Sequence, residues 1–288
     1  MSTSGTVSPY TEVYSPSGGC SRQLASLPIG LWDFGLVLYG NNILACGGYV
    51  PSGSTNRNCW RYDVPTDNWV SHSTLLYNHH RSTPFLVYSN KTYCVDYTNG
   101  ESFSNVSYSW SLDLTSTANI GEGECSLQYL DSFYIFGGSG NVRYVQQYNF
   151  TTKQWTFPFT LNSGTLFSSC LLLPDSNGKA LLLSIDSANN LAQTTTIVDL
   201  VTYQQTPIAT PNYQRAWGSN LVALGRRIFV MNGWNWSTNV VVVEEYIPES
   251  NSWSKVTIPL IYPRHKSRTL SLPASWFSKI PGGCTGVV

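Results

Sequence analysis

His79 and His80 stand side by side in YNHHRSTPF, and Glu122 and Glu124 alternate in GEGE. These are the residues whose spacing could serve metal binding or proton transfer. Adjacent residues on a strand point to opposite faces, so the two histidines make poor joint metal ligands. Alternating carboxylates share a face and could do acid–base work, though such residues more often line the wet mouth of a channel. The seven cysteines are Cys20, Cys46, Cys59, Cys94, Cys125, Cys170 and Cys284. None forms a C-x-x-C pair, which argues against zinc. No G-x-S-x-G nucleophile elbow occurs, and GSGN at 138–141 precedes no helix that could seat a phosphate. No catalytic residue, metal ligand set or cofactor motif emerges, and none is expected.

The elements that would position such residues are strands. Aromatic residues make up 14% of the chain, with 10 Trp and 18 Tyr, while charged residues make up 11%, about half the globular average. Polarity comes from Ser, Thr, Asn and Gly, a composition of strands joined by polar turns. Formal charge is zero and no Lys/Arg block exists, so the footprint of a nucleic-acid binder is missing. No apolar run reaches the roughly 20 residues that span a bilayer. The start, MSTSGTVSPY, lacks a signal-peptide pattern, which leaves a cytoplasmic protein or one whose leader was removed. Low Lys and Glu content and the cysteine count favour an extracellular, secreted setting. Glycosylation sequons occur at Asn90, Asn105, Asn149 and Asn235; in a chain this rich in Ser and Thr their number decides nothing.

Three segments share one grammar. ILACGG leads to CWRYDVPTDNW, with Gly47, Gly48, Tyr62 and Trp69; FYIFGG leads to QQYNFTTKQW, with Gly137, Gly138, Tyr148 and Trp155. IFVMNG leads to EEYIPESNSW, with Asn232, Gly233, Tyr246 and Trp253. Tyr precedes Trp by seven each time, and the loop after the glycines varies, where insertions are tolerated. Weaker copies fall between: SWSLDLTSTAN, with Leu112 in the Tyr slot; TTIVDLVTYQQ, with Val198 there; and TEVYSPSGGCS, with Tyr14. The Trp-equivalent positions are then 21, 69, 119, 155, 205 and 253, spaced as propeller blades of roughly 40 to 50 residues.

This pattern resembles the kelch-repeat β-propellers over nearly the whole chain. The resemblance implies an all-β, six-bladed propeller over 1–288, with pieces near 29–77, 78–120, 121–162, 163–212 and 213–261. The last blade would join 1–28 to 262–288, closed by N- and C-terminal strands with Gly282 and Gly283 ending one of them. In the family the double glycine closes the second strand, and Tyr and Trp pack between blades. Cys46 and Cys59 would be antiparallel neighbours, either bridged or a buried thiol pair. Cys125 with Cys170, and Cys20 with Cys284, are further candidate bridges.

In kelch propellers the loops from fourth to first strands and from second to third strands share one face. Here they carry Trp32, His80, Arg81, Arg215, Trp217, Trp234, Trp236, Arg264 and His265, and Trp and Arg are common anchors of recognition. Packing between blades is the competing role for each. The expected function is non-catalytic binding of a protein or glycan ligand. Alternatives are a carbohydrate-active enzyme resembling sialic-acid epimerase propellers, with Glu122, Arg81 and Arg215 at the channel mouth, and a structural secreted protein. No BTB-like region precedes the repeats.

Overall fold

The computed structural model describes residues 8–16, 19–79, 85–95, 99–115, 124–139, 142–186, 192–262, 264, 266–277 and 279–280. The chain forms two compact units, Met1–Thr115 with Leu260–Tyr262 and Leu272–Val288, and Ser116–Pro259 with Pro263–Ser271.

The first unit contains the hairpin β1 (Thr11–Ser15) and β2 (Cys20–Leu24). Two four-stranded antiparallel sheets follow. One is β3 (Gly35–Tyr39), β4 (Asn42–Cys46), β5 (Cys59–Asp63) and β6 (Asn68–Ser71); the other is β7 (Phe85–Tyr88), β8 (Lys91–Val95), β9 (Asn99–Ser104) and β10 (Ser109–Thr115). The second unit holds three such sheets. They are β11 (Cys125–Tyr129), β12 (Ser132–Phe136), β13 (Val145–Asn149) and β14 (Gln154–Thr156); β15 (Thr165–Leu172), β16 (Lys179–Asp186), β17 (Gln193–Asp199) and β18 (Gln205–Pro207); and β19 (Trp217–Leu224), β20 (Arg227–Trp234), β21 (Glu244–Ile247) and β22 (Ser252–Lys255). All five sheets are meanders in chain order. In each, the 1→2 and 3→4 turns therefore lie at one end and the 2→3 and 4→1 connections at the other.

The seven-residue spacing is a register. Tyr62 lies opposite Trp69, Tyr148 opposite Trp155 and Tyr246 opposite Trp253, each pair with ring centroids 5.2 Å apart. Val198 faces Gln205, and Tyr14 faces Ser21, so β1–β2 repeats the outer half of a blade. In the β7–β10 sheet the pair is Phe103 and Trp110. This corrects the placement of Leu112 and position 119: SWSLDL is the fourth strand, and the third is NGESFS, whose Phe carries the aromatic role. Five residues past each slot the chain turns left-handed, at Asp67, Tyr108, Lys153, Tyr203 and Asn251.

The slot Trp and the left-handed turn residue together hold one residue of a neighbouring segment by both its N–H and its carbonyl. Ala25 donates its N–H to Asp67 Oδ1 at 2.8 Å while Trp69 Nε1 donates to the Ala25 carbonyl at 3.1 Å. In the second unit Ala209 N–H donates to Asn251 Oδ1 at 3.0 Å, and Trp253 Nε1 to the Ala209 carbonyl at 2.8 Å. The Tyr62 and Tyr246 hydroxyls donate to the same Asp67 and Asn251 oxygens. Gln205 does similar work where Trp is missing, donating to the Thr160 carbonyl and accepting from Asn162 N–H.

The glycines have a steric cause. Gly48 has φ +78°, and a Cβ there would come within 2.6 Å of the Trp32 carbonyl. Its N–H donates to the His79 carbonyl at 3.1 Å; Gly138 donates likewise to Thr165 and Gly233 to Arg264.

The structure departs from a sixth four-stranded blade closed by C-terminal strands. Among the described residues, 268–273 are in no strand and Ala274–Phe277 form a helical turn. Pro273 cannot donate to a ladder and instead opens that turn, its carbonyl accepting from Trp276 N–H. Gly282, Gly283 and Cys284 lie outside the described residues. Ile261 and Tyr262 do attach to the β1–β2 hairpin: Ile261 N–H donates to Glu12, the Tyr262 hydroxyl donates to Gln23, and the Tyr10 and Tyr262 rings stack at 4.4 Å.

Candidate functional site: the loop end of the sheets

A buried carboxylate organises the 4→1 connection in one blade of each unit. Glu101 on β9 accepts from Leu76 N–H at 2.7 Å and Tyr77 N–H at 2.8 Å, with His79 Nε2 2.7 Å from Oε1. Glu244 on β21 accepts from Asn212 N–H at 2.7 Å, Asn212 Nδ2 at 3.0 Å, Tyr213 N–H at 3.3 Å and Arg215 Nη2 at 3.1 Å. The loop partners keep one spacing, Leu76, Tyr77 and His79 against Asn212, Tyr213 and Arg215, so this is one clamp built twice, and its four ionisable side chains have no solvent exposure. Arg215 also donates to the Asn232 carbonyl at 2.6 Å and the Val242 carbonyl at 2.7 Å, tying the 2→3 loop to the 4→1 loop. Burial pulls the guanidinium pKa down and Glu244 pulls it back up. Sequence reading missed Glu101 and Glu244. Their one signal is a Glu two residues before the aromatic slot.

Above the clamp in the second unit lies an aromatic row. Phe167 stacks on Trp217 with centroids 4.6 Å apart, and Lys266 Nζ sits 4.0 Å from the Trp217 ring centroid. Trp217 pairs with Trp234 across β19 and β20, and Trp234 meets Trp236 edge-on at 5.4 Å. Phe167, Trp236 and Lys266 all have positive φ, at 53°, 71° and 54°. Bulky residues rarely adopt that conformation, and strain of this kind concentrates at ligand sites. Trp236 is 40% exposed, while Trp217, Trp234 and Lys266 are half-buried. Each offers flat apolar surface beside polar loop backbone, suited to stacking and shape recognition.

The expected rim residues divide accordingly. Trp217, Trp234 and Trp236 come together, and Arg264, half-buried, is joined to Gly233 through its carbonyl. Trp32, in the first unit, stacks on Tyr49 at 5.8 Å and exchanges two backbone hydrogen bonds with it. Arg215 is a correction: it is 1% exposed, and its bonded guanidinium faces protein, not a ligand. His80, Arg81, His265 and Glu122 lie outside the described residues. Glu124 is buried at 4% exposure. Among the described residues no group of three or more His, Cys, Asp or Glu could hold a metal.

Two disulfides flank this end of the sheets. Cys46–Cys59 joins directly opposed residues of β4 and β5 and so closes the 2→3 loop; Cys125–Cys170 joins β11 to β15. Cys94 is a buried thiol, and Cys20 is disulfide-bonded.

Residues 218–259 match the family model for the Kelch motif. No curated protein matches the chain. Among 436 matching solved chains is one described as "Structure of YjhT". It has TM-score 0.65 at 14% identity, covering 83% of this chain and 87% of that one, a likeness of fold. The repeated slot register, the glycine-closed second strands, the Kelch motif matched at residues 218–259 and the likeness of fold support a kelch-repeat β-propeller.

Proposed function

We propose that the propeller is an extracellular binding module that holds a protein or glycan ligand on its loop face and performs no chemistry of its own. The observation that carries this reading is the Phe167–Trp217–Lys266 row with Trp236 exposed beside it, on strained backbone. Aromatic side chains that are rigid and partly exposed lose little entropy on binding and supply much area. The two disulfides support the extracellular setting, because such bonds persist in oxidising compartments. A carbohydrate-active propeller would need an Arg/Glu cluster open to substrate; the Arg215–Glu244 pair is fully buried.

The test is a glycan and peptide panel read for both retention and turnover, with the wild type beside a Trp217→Ala, Trp236→Ala double variant. Retention without conversion, lost in the variant, is expected. Product formation, or retention unchanged in the variant, overturns the reading.

A further inference from the structure

We infer that the fold takes N-linked glycans at Asn90 and Asn105, at the hairpin-turn end of the β7–β10 sheet, and keeps the loop face bare. This rests on the extracellular setting proposed above. The four sequons differ in what the folded chain does with them. Most non-strand chain lies in the 2→3 and 4→1 connections, yet three of the four sequons fall at tight hairpin turns.

Asn90 occupies the β7–β8 turn, exposed and with φ +64°; its carbonyl accepts the Tyr39 hydroxyl at 2.5 Å, which pins the backbone. Asn105 occupies the β9–β10 turn and is exposed, followed by Val106 at 98% and Tyr108 at 64% exposure. Lys91 pairs with Ser104, so the two asparagines leave the same end of neighbouring strands. A glycan on Asn105 covers Val106 and Tyr108, apolar surface that the sheet leaves in water.

The other two sequons are engaged. Asn149 is half-buried; its Oδ1 accepts from Thr151 and Thr152 N–H, and its Nδ2, the atom a glycan would take, donates to Ser132 Oγ at 3.5 Å. Asn235 is half-buried between Trp234 and Trp236, with Oδ1 accepting from Ser237 and Thr238 N–H. A glycan there would stand on the aromatic face.

The transfer needs an oligosaccharide carried on a lipid diphosphate. The Asn Nδ2–C1 bond forms as the C1–O–phosphate bond breaks; the lipid diphosphate leaves with the bonding pair, and one amide proton is lost. Transfer takes place on the extended nascent chain, so the folded state decides which products are tolerated.

The experiment expresses the full chain behind a secretion leader in a eukaryotic host and maps glycans by enzymatic release, which converts each occupied Asn to Asp. Asn90→Gln and Asn105→Gln should each remove one glycan, and Asn149→Gln and Asn235→Gln none. Ser107→Ala, which keeps Asn105, should lose the same glycan as Asn105→Gln. Occupancy of Asn90 and Asn105 with Asn149 and Asn235 bare supports the inference; any other pattern, a bare chain included, overturns it. A bare protein from its own cells, beside a glycosylated leader-bearing form, would retire the extracellular setting and leave the two sites standing.

Discussion

Replacing Arg215 with Ala strands Glu244 inside the second unit. The guanidinium is 1% exposed and supplies three hydrogen bonds, to the Asn232 and Val242 carbonyls and to Glu244. Removing one member of a buried pair costs about 3–5 kcal/mol. Glu244 keeps the Asn212 N–H, the Asn212 amide and the Tyr213 N–H, so the lower end applies, about 3 kcal/mol. At about 2–4 °C per kcal/mol in larger domains, the melting temperature falls by about 6–12 °C. Adding Glu244→Gln removes the stranded charge while keeping an acceptor for the backbone, and should recover about 1–2 kcal/mol. Thermal and urea unfolding followed by circular dichroism measure all three proteins. An Arg215→Ala protein within about 0.5 kcal/mol of wild type, the range of an ordinary surface change, would refute the clamp. A double variant less stable than the single one would do the same.

Tyr62→Phe removes the hydroxyl bonded to Asp67 Oδ1 at 2.6 Å and should cost about 1 kcal/mol of unfolding free energy, read by urea titration. Burial, then the Asp67 hydrogen bond, raise the Tyr62 pKa, so the neutral phenol is favoured in the fold. That stabilisation is complete below the unfolded value of about 10 and disappears as pH climbs through the folded one, a loss the Phe variant lacks. His72 behaves oppositely: burial and then Arg61 depress its pKa. Its contribution is present above about pH 6.5 and lost as pH falls through the folded value; His72→Phe should flatten stability over that acid window. Reducing Cys46–Cys59, or making Cys46→Ser with Cys59→Ser, opens a link across a sequence separation of 13 and should cost about 3 kcal/mol, read by urea titration with and without reductant. Gln205→Ala, which loses the bonds to Thr160 and Asn162, should cost about 1–2 kcal/mol by the same titration.

The Tyr/Trp register was legible because it is a property of backbone pairing: residues seven apart face one another across a tight 3→4 turn wherever the turn has the same length. It failed at Leu112 because the aromatic in the Tyr slot there is Phe103, in NGESFS, a strand of small and polar residues that propensity does not favour. The sixth blade was misjudged at its inner half for a related reason. SRTLSLP alternates like a strand, but Pro273 ends the pattern and the following residues turn helical. The buried clamps were hard to read beyond their place two residues before the slot, since Glu101 and Glu244 are ordinary surface residue types whose role depends on loops 25 and 32 residues upstream. For the same reason Arg215 read as a rim anchor.

The backbone at the loop end allows its side chains to vary without loss of fold. Thr165 and Arg264 are fixed through their carbonyls, which accept from the second glycine position of the preceding sheet; neither bond uses a side chain. Two residues further along each connection stand Phe167 and Lys266, and two beyond Arg215 stands Trp217, three unlike residues in corresponding places. They contact one another, Phe167 on one side of Trp217 in a ring stack and Lys266 over the same indole through its ammonium. Exchange of any of the three leaves the glycine bonds, the slot pairs and the Glu244 clamp in place. The fold thus holds its blades by main-chain bonds and buried pairs, and a line of side chains at the loop end is left available for the binding role proposed above.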